Sequence, residues 1–363
     1  KEFFKKSYFV AISTLFNSLM VIKTILKYDV LLFAYGITFT NTAFELFLYK
    51  TFGKRLMFMF HGSDSRPPYI ASKNKSGDIN YYNLYEDIKQ MKKNIMRIEK
   101  YADLTINWGP TGHFHEKKFI NCSSLGYPLN LEPLFINPTK NEEIKILHCP
   151  SDKSMKGSDI ILKALDNIAN KGIKFKLTLL TNVPNEKIIQ AIKETDFIID
   201  CLYSDISLGT LGIEAAFFGK PTIVGGYLHD TVGKYFSSNK SISPSCYVHP
   251  NNIEEGIEKM ITNHEYRNEL AKNAYDYITK QHGTLSNVVN NYLRLFSNNI
   301  PSEWWFDPNN IDYIYGDVPE SKLKEIVSNL IEKHGLKSLQ LKDKPLLEKM
   351  FMDYTSLKTQ DLE

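Results

Sequence analysis

At 363 residues the chain is longer than one hydrophobic core ordinarily serves, so two domains with room for an appendage are expected. Its 23% charged and 43% hydrophobic residues describe a soluble globular protein and exclude a disordered or membrane-spanning one. The net charge of +3 conceals an asymmetry, since residues 1–138 carry 18 Lys/Arg against 11 Asp/Glu and the remainder 26 against 30. A basic first half suits an anionic partner. Nucleic acid is not expected, because the basic residues are not interleaved with aromatics in a binding motif.

In chain order, the stretch from Tyr8 to Leu26 is apolar but broken by Asn17, Lys23 and several hydroxyl residues, so it falls short of the roughly 20 apolar residues a membrane span needs. No targeting segment is expected. Asp29 to Gly36 then reads as a short strand, Asn41 to Phe52 as a helix and Arg55 to Gly62 as a buried strand. Leu84, Ile88, Met91, Ile95, Ile98 and Ala102 recur at the helical period and predict one core-facing stripe, with Lys89, Lys93, Arg97 and Lys100 on the other side. Asp103 to Gly109 and Phe119 to Gly126 read as further strands. Such alternation implies a parallel sheet covered by helices on both faces.

The proline-rich stretch Gly126 to Glu143 places a junction near Pro138. A second strand–helix series follows, with strands at Ile144–Pro150, Phe175–Thr181, Asp196–Leu202, Pro221–Gly226 and Cys246–Pro250. Helices are expected at Gly157–Asn170, Asn185–Glu194, Thr210–Phe218, Asn252–Thr262 and Glu265–His282. This predicts a doubly wound α/β domain, whose ligands bind at the carboxyl ends of the strands. The expected domains are therefore 1–138, 139–298 and an extension over 299–363. The extension opens with the aromatic, turn-rich SEWWFDPNN and continues with a helix from Glu320 to His334. Cys122, Cys149, Cys201 and Cys246 lack CxxC spacing and zinc-ligand neighbours, so they are expected to be reduced, structural thiols, with no metal site.

Three segments could carry chemistry. In LGTLGIEAAFFGKPTIVGG (Leu208 to Gly226) a helix opens after Gly209 and Thr210, and its free N–H groups and positive dipole end suit an anion. Glu214, in the second turn among apolar neighbours, is a charge that needs a partner, such as the vicinal hydroxyls of a ribose. In HCPSDKSMKGSDIILKAL (His148 to Leu165), Lys153 and Lys156 occupy the loop at a strand's carboxyl end, where two cations could offset a diphosphate. In FHGSDSR (Phe60 to Arg66), His61, Gly62, Ser63 and Asp64 end a first-domain strand where a ligand between two domains could be met. A plain Asp64–Arg66 pair is the alternative there. His113, His115 and His282 are assigned no role.

The second-domain segments HCPSDKSMKGSDIILKAL and DFIIDCLYSDISLGTLGIEAAFFGKPTIV resemble the donor half of bacterial GT-B retaining glycosyltransferases, glycosyltransferase family 4 in particular. FHGSD, YADLTINWG and the GYPLN junction are similar to the acceptor half. The resemblance implies two Rossmann-like domains facing a cleft, with the C-terminal helix packing back on the first. It implies transfer of a sugar, from a UDP-linked donor in the family's manner, to a glycan or lipid-linked acceptor during cell-surface polysaccharide synthesis. By that likeness Glu214 binds the ribose, Lys153 and Lys156 the pyrophosphate, and Gly209, Thr210 and Ser151 the donor. His61 would reach the donor sugar, with Gly62, Ser63 and Asp64 on the acceptor side, and no metal or other cofactor would be needed. The family often has a second glutamate eight positions before the first. Here that position is Ile206, so either Asp205 beside it substitutes, or backbone groups do the job, or catalysis is impaired. The family's first strand and glycine-rich acceptor loop are not found before Tyr28, so that strand is expected to be missing. The reduced thiols suit a cytoplasmic protein, and the basic first domain suits contact with the anionic inner face of the membrane. A non-catalytic GT-B partner subunit and a nucleotide-sugar epimerase are the alternative functions.

Overall fold

The computed structural model describes residues 2–71, 78–127, 129–137, 143–204, 208–235, 242–282 and 284–356. The junction placed near Pro138 and the candidate Asp205 lie outside them. The first half runs α1 (Glu2–Lys27), β1 (Val30–Ala34), α2 (Ala43–Thr51), β2 (Arg55–Met59), α3 (Tyr81–Tyr101), β3 (Leu104–Asn107) and β4 (Phe119–Asn121). The second runs β5 (Ile144–His148), α4 (Ser158–Asn170), β6 (Phe175–Leu179), α5 (Asn185–Glu194), β7 (Phe197–Cys201), α6 (Thr210–Phe217), β8 (Thr222–Gly225), β9 (Cys246–Val248), α7 (Ile253–Thr262) and α8 (His264–Asp276). It ends in α9 (Leu285–Phe296), β10 (Trp305–Phe306), α10 (Glu320–His334) and α11 (Pro345–Ser356).

The strands form two sheets. The first has the order β1-β2-β3-β4-β10, parallel except for β10, which pairs antiparallel with β4. The second has the order β6-β5-β7-β8-β9 and is parallel throughout. In it β5 is flanked by both β6 and β7, so the chain leaves β5 in opposite directions and a crevice opens at the carboxyl ends of those two strands. The first sheet advances from β1 to β4 without such a reversal.

Continuous apolar strands make this possible, because successive side chains point to opposite faces and both faces are covered. Ile146, Phe197, Ile199 and Ile223 enter one core with α4 and α7 residues such as Ile161, Leu165 and Ile257. Their neighbours Leu147, Ile198 and Val224 enter another, with Ile213, Ala216 and Phe217 of α6. In α3 the periodic stripe is buried at Leu84, Ile88, Ile95 and Ile98, and Asn80 caps the helix by accepting from Asn83 N at 3.1 Å. Lys93 and Lys100 are exposed on its other side, whereas Lys89 pairs with Glu86 and Arg97 bonds the carbonyl of Asn41.

Several elements differ from the reading of the sequence. The strand expected over Phe119–Gly126 stops at Asn121, whose side chain accepts from Ser123 N and turns the chain into a short 3-10 helix at Cys122–Ser124. Helix α1 is not assigned from the sequence; Leu15, Leu19, Ile22 and Leu26 do recur at helical spacing there, but that stripe and Phe16 are exposed while Val21 is buried. Strand β10 is two residues long and exists through its pairing with β4, so no local period announces it. In place of a simple Asp64–Arg66 pair, Arg66 reaches Asp317 at 2.9 Å and Asp64 accepts from His61 N at 2.8 Å. The four cysteines form no disulfide.

The chain beyond β10 packs on the first sheet. Leu323, Ile326, Val327 and Leu330 of α10 share one core with Phe58 of β2 and Ile88 of α3. The fully buried His113 fastens this layer, its Nε2 lying 2.6 Å from the carbonyl of Tyr313. Burial lowers the His113 pKa to about 4, so the ring is neutral at pH 7 and donates to that carbonyl. An unfolded histidine titrates near 6.5 and the folded one lower, so the unfolded chain binds the extra proton. Stability from neutral His113 is therefore complete above about pH 6.5 and is lost as pH falls toward 4, by up to about 1.4 kcal/mol per unit. Calorimetry is expected to show the unfolding temperature dropping between pH 7 and pH 5 in the wild type and a flatter profile in His113→Gln. Parallel profiles would remove His113 as the source.

Candidate functional site

The reversal at β5 gathers one group of polar residues. Cys149 and Ser151 follow β5, Asp200 lies near the end of β7, Asn185 begins α5, and Thr210, Leu211 and Glu214 lie on the first two turns of α6. With Lys156 and Ile188 they line a cavity of about 330 Å³.

Lys156 is set there by its loop. Its N–H donates to Asp152 O, its carbonyl accepts from Leu202 N at 3.0 Å, and so the loop after β5 is tied to the end of β7. Gly157 then turns into α4 with φ +70° and lies so close to Leu202 that an added Cβ would stand 2.6 Å from the leucine Cβ. The Lys156 ammonium lies 3.0 Å from Oδ1 of Asp200, which is buried. That carboxylate holds the ammonium charged, raising its pKa well above the ordinary lysine value. Among the described residues Asp200 is the one side chain bonded to that ammonium, which leaves two of its three donors for a ligand. The other Asp200 oxygen faces Gly209, where any Cβ would come within 2.7 Å of it. Gly209 therefore makes room for Asp200 at the N-terminus of α6.

Glu214 is buried at 7% exposure, so it is not a surface glutamate. Asn185 Nδ2 donates to its Oε1 at 2.9 Å, and its other oxygen has no partner among the described residues. A carboxylate fixed through one oxygen and open at the other can accept from sugar hydroxyls. Behind the site, His148 is held by Ile199 O and Ser158 Oγ, each at 2.8 Å, and burial lowers its pKa. It is a buttress between β5, β7 and α4. Burial raises the Cys149 thiol, and the Glu214 and Asp200 charges push it further the same way, which disfavours the thiolate.

Of the residues read from the sequence, the fold brings Ser151, Lys156, Thr210 and Glu214 to one cavity, with Gly209 beside it. Lys153 is exposed and is not among the lining residues. The cavity thus holds one ammonium instead of the expected two, and that one is partly offset by Asp200. His61, Gly62, Ser63 and Asp64 stand at the end of β2 in the other lobe and do not line it; His61 is exposed with its ring 4.4 Å from that of Tyr35. Sequence reasoning misses Asp200 and Asn185. Asp200 is legible as the one carboxylate inside the apolar run FIIDC, a charge that cannot be buried there without a partner. Nothing local marks Asn185, whose position depends on the β6-to-β7 crossover. No group of three or more His, Cys, Asp or Glu side chains among the described residues is arranged to hold a metal.

No protein-family model matches the chain, and no curated protein matches its sequence. Its fold does match solved structures. The crystal structure of TarM superposes with a TM-score of 0.51 at 13% identity, over 77% of this chain and 58% of that one. A point mutant of S. aureus TarM in complex with fondaparinux, alpha-GlcNAc-glycerol and UDP gives 0.50 at 12% identity over the same shares. The fold is GT-B. Anabaena Alr3699/HepE in complex with UDP-glucose is also similar, at a TM-score of 0.48 and 12% identity over 77% of this chain and 82% of that one. In GT-B terms the cavity belongs to the second lobe, and the segment after β8 joins it to the first: Tyr227 donates to Val318 O at 3.0 Å, and Asn121 bonds the carbonyl of Tyr235. No helix among the described residues is long and apolar enough to cross a membrane.

Proposed function

We propose that the protein is a retaining glycosyltransferase that moves a sugar from a UDP-linked donor to a hydroxyl of a glycan or lipid-linked acceptor in bacterial cell-surface polysaccharide synthesis. The observation that carries this is the meeting of Lys156, Thr210, Ser151 and Glu214 in one cavity at the strand-order reversal. The open oxygen of Glu214 takes the ribose hydroxyls, and the Lys156 ammonium and the α6 N-terminus take the diphosphate. Transfer breaks the bond from the anomeric carbon to the diphosphate oxygen and forms one to the acceptor oxygen, whose proton leaves to the diphosphate. Lys156 stabilises the charge that builds on the leaving diphosphate. His61 joins only when the lobes close on the donor, bringing the β2 end, with Gly62, Ser63 and Asp64, toward the acceptor, and Lys153 joins only by a turn of its own loop after β5. We assign the reaction no metal. The exposed Lys93 and Lys100 of α3 suit an anionic membrane surface on the cytoplasmic side.

A non-catalytic nucleotide-binding subunit is the second reading, favoured because the described residues lining the cavity all come from the second lobe. Release of UDP from UDP-glucose and UDP-N-acetylglucosamine, assayed with EDTA present, separates the two. A slow, EDTA-insensitive release that His61→Ala lowers about tenfold or more, with UDP binding intact, supports the enzyme. Intact UDP binding without turnover of either donor supports the subunit.

A further inference from the structure

The segment SEWWFDPNN, outside the cavity of Lys156 and Glu214, builds a site of its own. It folds as a 3-10 turn at Ser302–Trp304, the two-residue β10, and a second 3-10 turn at Pro308–Asn310. Pro301 precedes the first turn, Pro308 opens the second, and Asp307 Oδ1 accepts from Asn309 N at 3.0 Å, so the cassette is stiff. Its alternation is sharp. Trp304 is buried with Leu295, Ile120 and Leu125, while Trp305 is 38% exposed. Phe306 rests on Phe119 at 5.4 Å. Trp305, Glu303, Phe306, Asp307 and Asn310, with Lys234 from the other lobe, line a cavity of about 540 Å³ that shares no residue with the first.

An indole held partly in water on a rigid frame gains by being covered, at roughly 25 cal/mol per Å² of apolar surface. The polar groups around it say by what. Glu303 and the Asn310 amide have no side-chain partner among the described residues, so an acceptor and a donor–acceptor pair stand open beside the ring. The nearby cations are already engaged, Lys234 with Asp312 and Lys118 with Asp307 at 3.6 Å. With Glu303, Asp307 and Asp312 set against Lys234 and Lys118, the rim carries a surplus carboxylate that disfavours a phosphate-bearing ligand. A neutral pyranose fits instead: its C–H face covers the indole, and its vicinal hydroxyls donate to Glu303 and exchange hydrogen bonds with Asn310.

We propose that this cavity is a binding subsite for an uncharged oligosaccharide, separate from the nucleotide cavity and independent of the reading given for it. The test uses the full chain, with hexasaccharides of glucose (α1,4- and β1,4-linked) and of N-acetylglucosamine as probes. Binding is followed by tryptophan fluorescence and by saturation-transfer NMR of the sugar. At least one probe is expected to bind saturably. Trp305→Ala should weaken it about tenfold or more, with Trp305→Tyr retaining part of the affinity. Glu303→Gln and Asn310→Ala, on exposed turn positions, should weaken it severalfold and serve if Trp305→Ala fails to fold. Lys156→Met should leave it unchanged, and Trp305→Ala should leave UDP binding unchanged. Failure of all three probes, or equal binding by Trp305→Ala and wild type, would overturn the proposal.

Discussion

UDP affinity is expected to fall about a hundredfold when Lys156 is replaced by methionine, through loss of a charge-assisted contact in a partly closed site. Any transfer rate should fall by about 10²–10³ as well, because the same ammonium meets the charge developing on the departing diphosphate. The substitution has a second consequence. It leaves Asp200 as a buried carboxylate without its partner, and breaking a buried pair from one side costs about 3–5 kcal/mol at full burial and less here, where Lys156 retains 28% exposure. Binding and folding must therefore be separated. The double variant Lys156→Met/Asp200→Asn removes both charges, and its unfolding temperature is expected to recover most of the loss. Its UDP affinity should not recover. Return of binding in the double variant would mean that the single change acted only by disordering the loop. Isothermal titration with UDP and thermal unfolding of the three proteins decide this.

Gly157→Ala is the second large effect. The residue sits at φ +70°, where an L side chain costs about 1–2 kcal/mol, and its new Cβ would stand 2.6 Å from Leu202 Cβ. Overpacking of that kind costs about 1–3 kcal/mol more, so a fall in unfolding temperature on the order of 5 °C or more is expected. Gly172 supplies the control. It has φ +83° with nothing within 4 Å of a built Cβ, so Gly172→Ala should show the backbone cost alone. Because Leu202 N is bonded to Lys156 O, the displacement at 157 should also move Lys156 and weaken UDP binding. Equal destabilisation by the two alanines would show that Leu202 yields without cost.

The second lobe is legible in the sequence because its strands are continuous apolar runs closed by glycine and proline, and its helices carry regular stripes. The carboxyl ends of such strands are where a reversed order opens a crevice, which is why local pattern, without the family resemblance that alone names Ser151, suffices to name Lys156, Thr210 and Glu214. The same logic names Lys153, which stands elsewhere. Loop membership fixes a residue's neighbourhood, but the turn of the loop decides whether its side chain enters the cavity. Asp200 and Asn185 escape for the converse reason, since their contacts with Lys156 and Glu214 cross between elements 44 and 29 residues apart. The short β10 and the one-sided exposure of Trp305 likewise arise from pairing with β4. His61 does stand at a strand end, as its sequence context implies, but its distance from the donor cavity depends on how the lobes sit.

A crystal structure of the protein grown with UDP shows whether Lys156, the α6 N-terminus and Glu214 hold one nucleotide. The diphosphate is expected within about 3 Å of Lys156 Nζ and facing the first turn of α6, with the ribose hydroxyls on the open oxygen of Glu214. A nucleotide bound at another surface, with Lys156 still closed on Asp200 and Glu214 still turned only to Asn185, would contradict the proposed function.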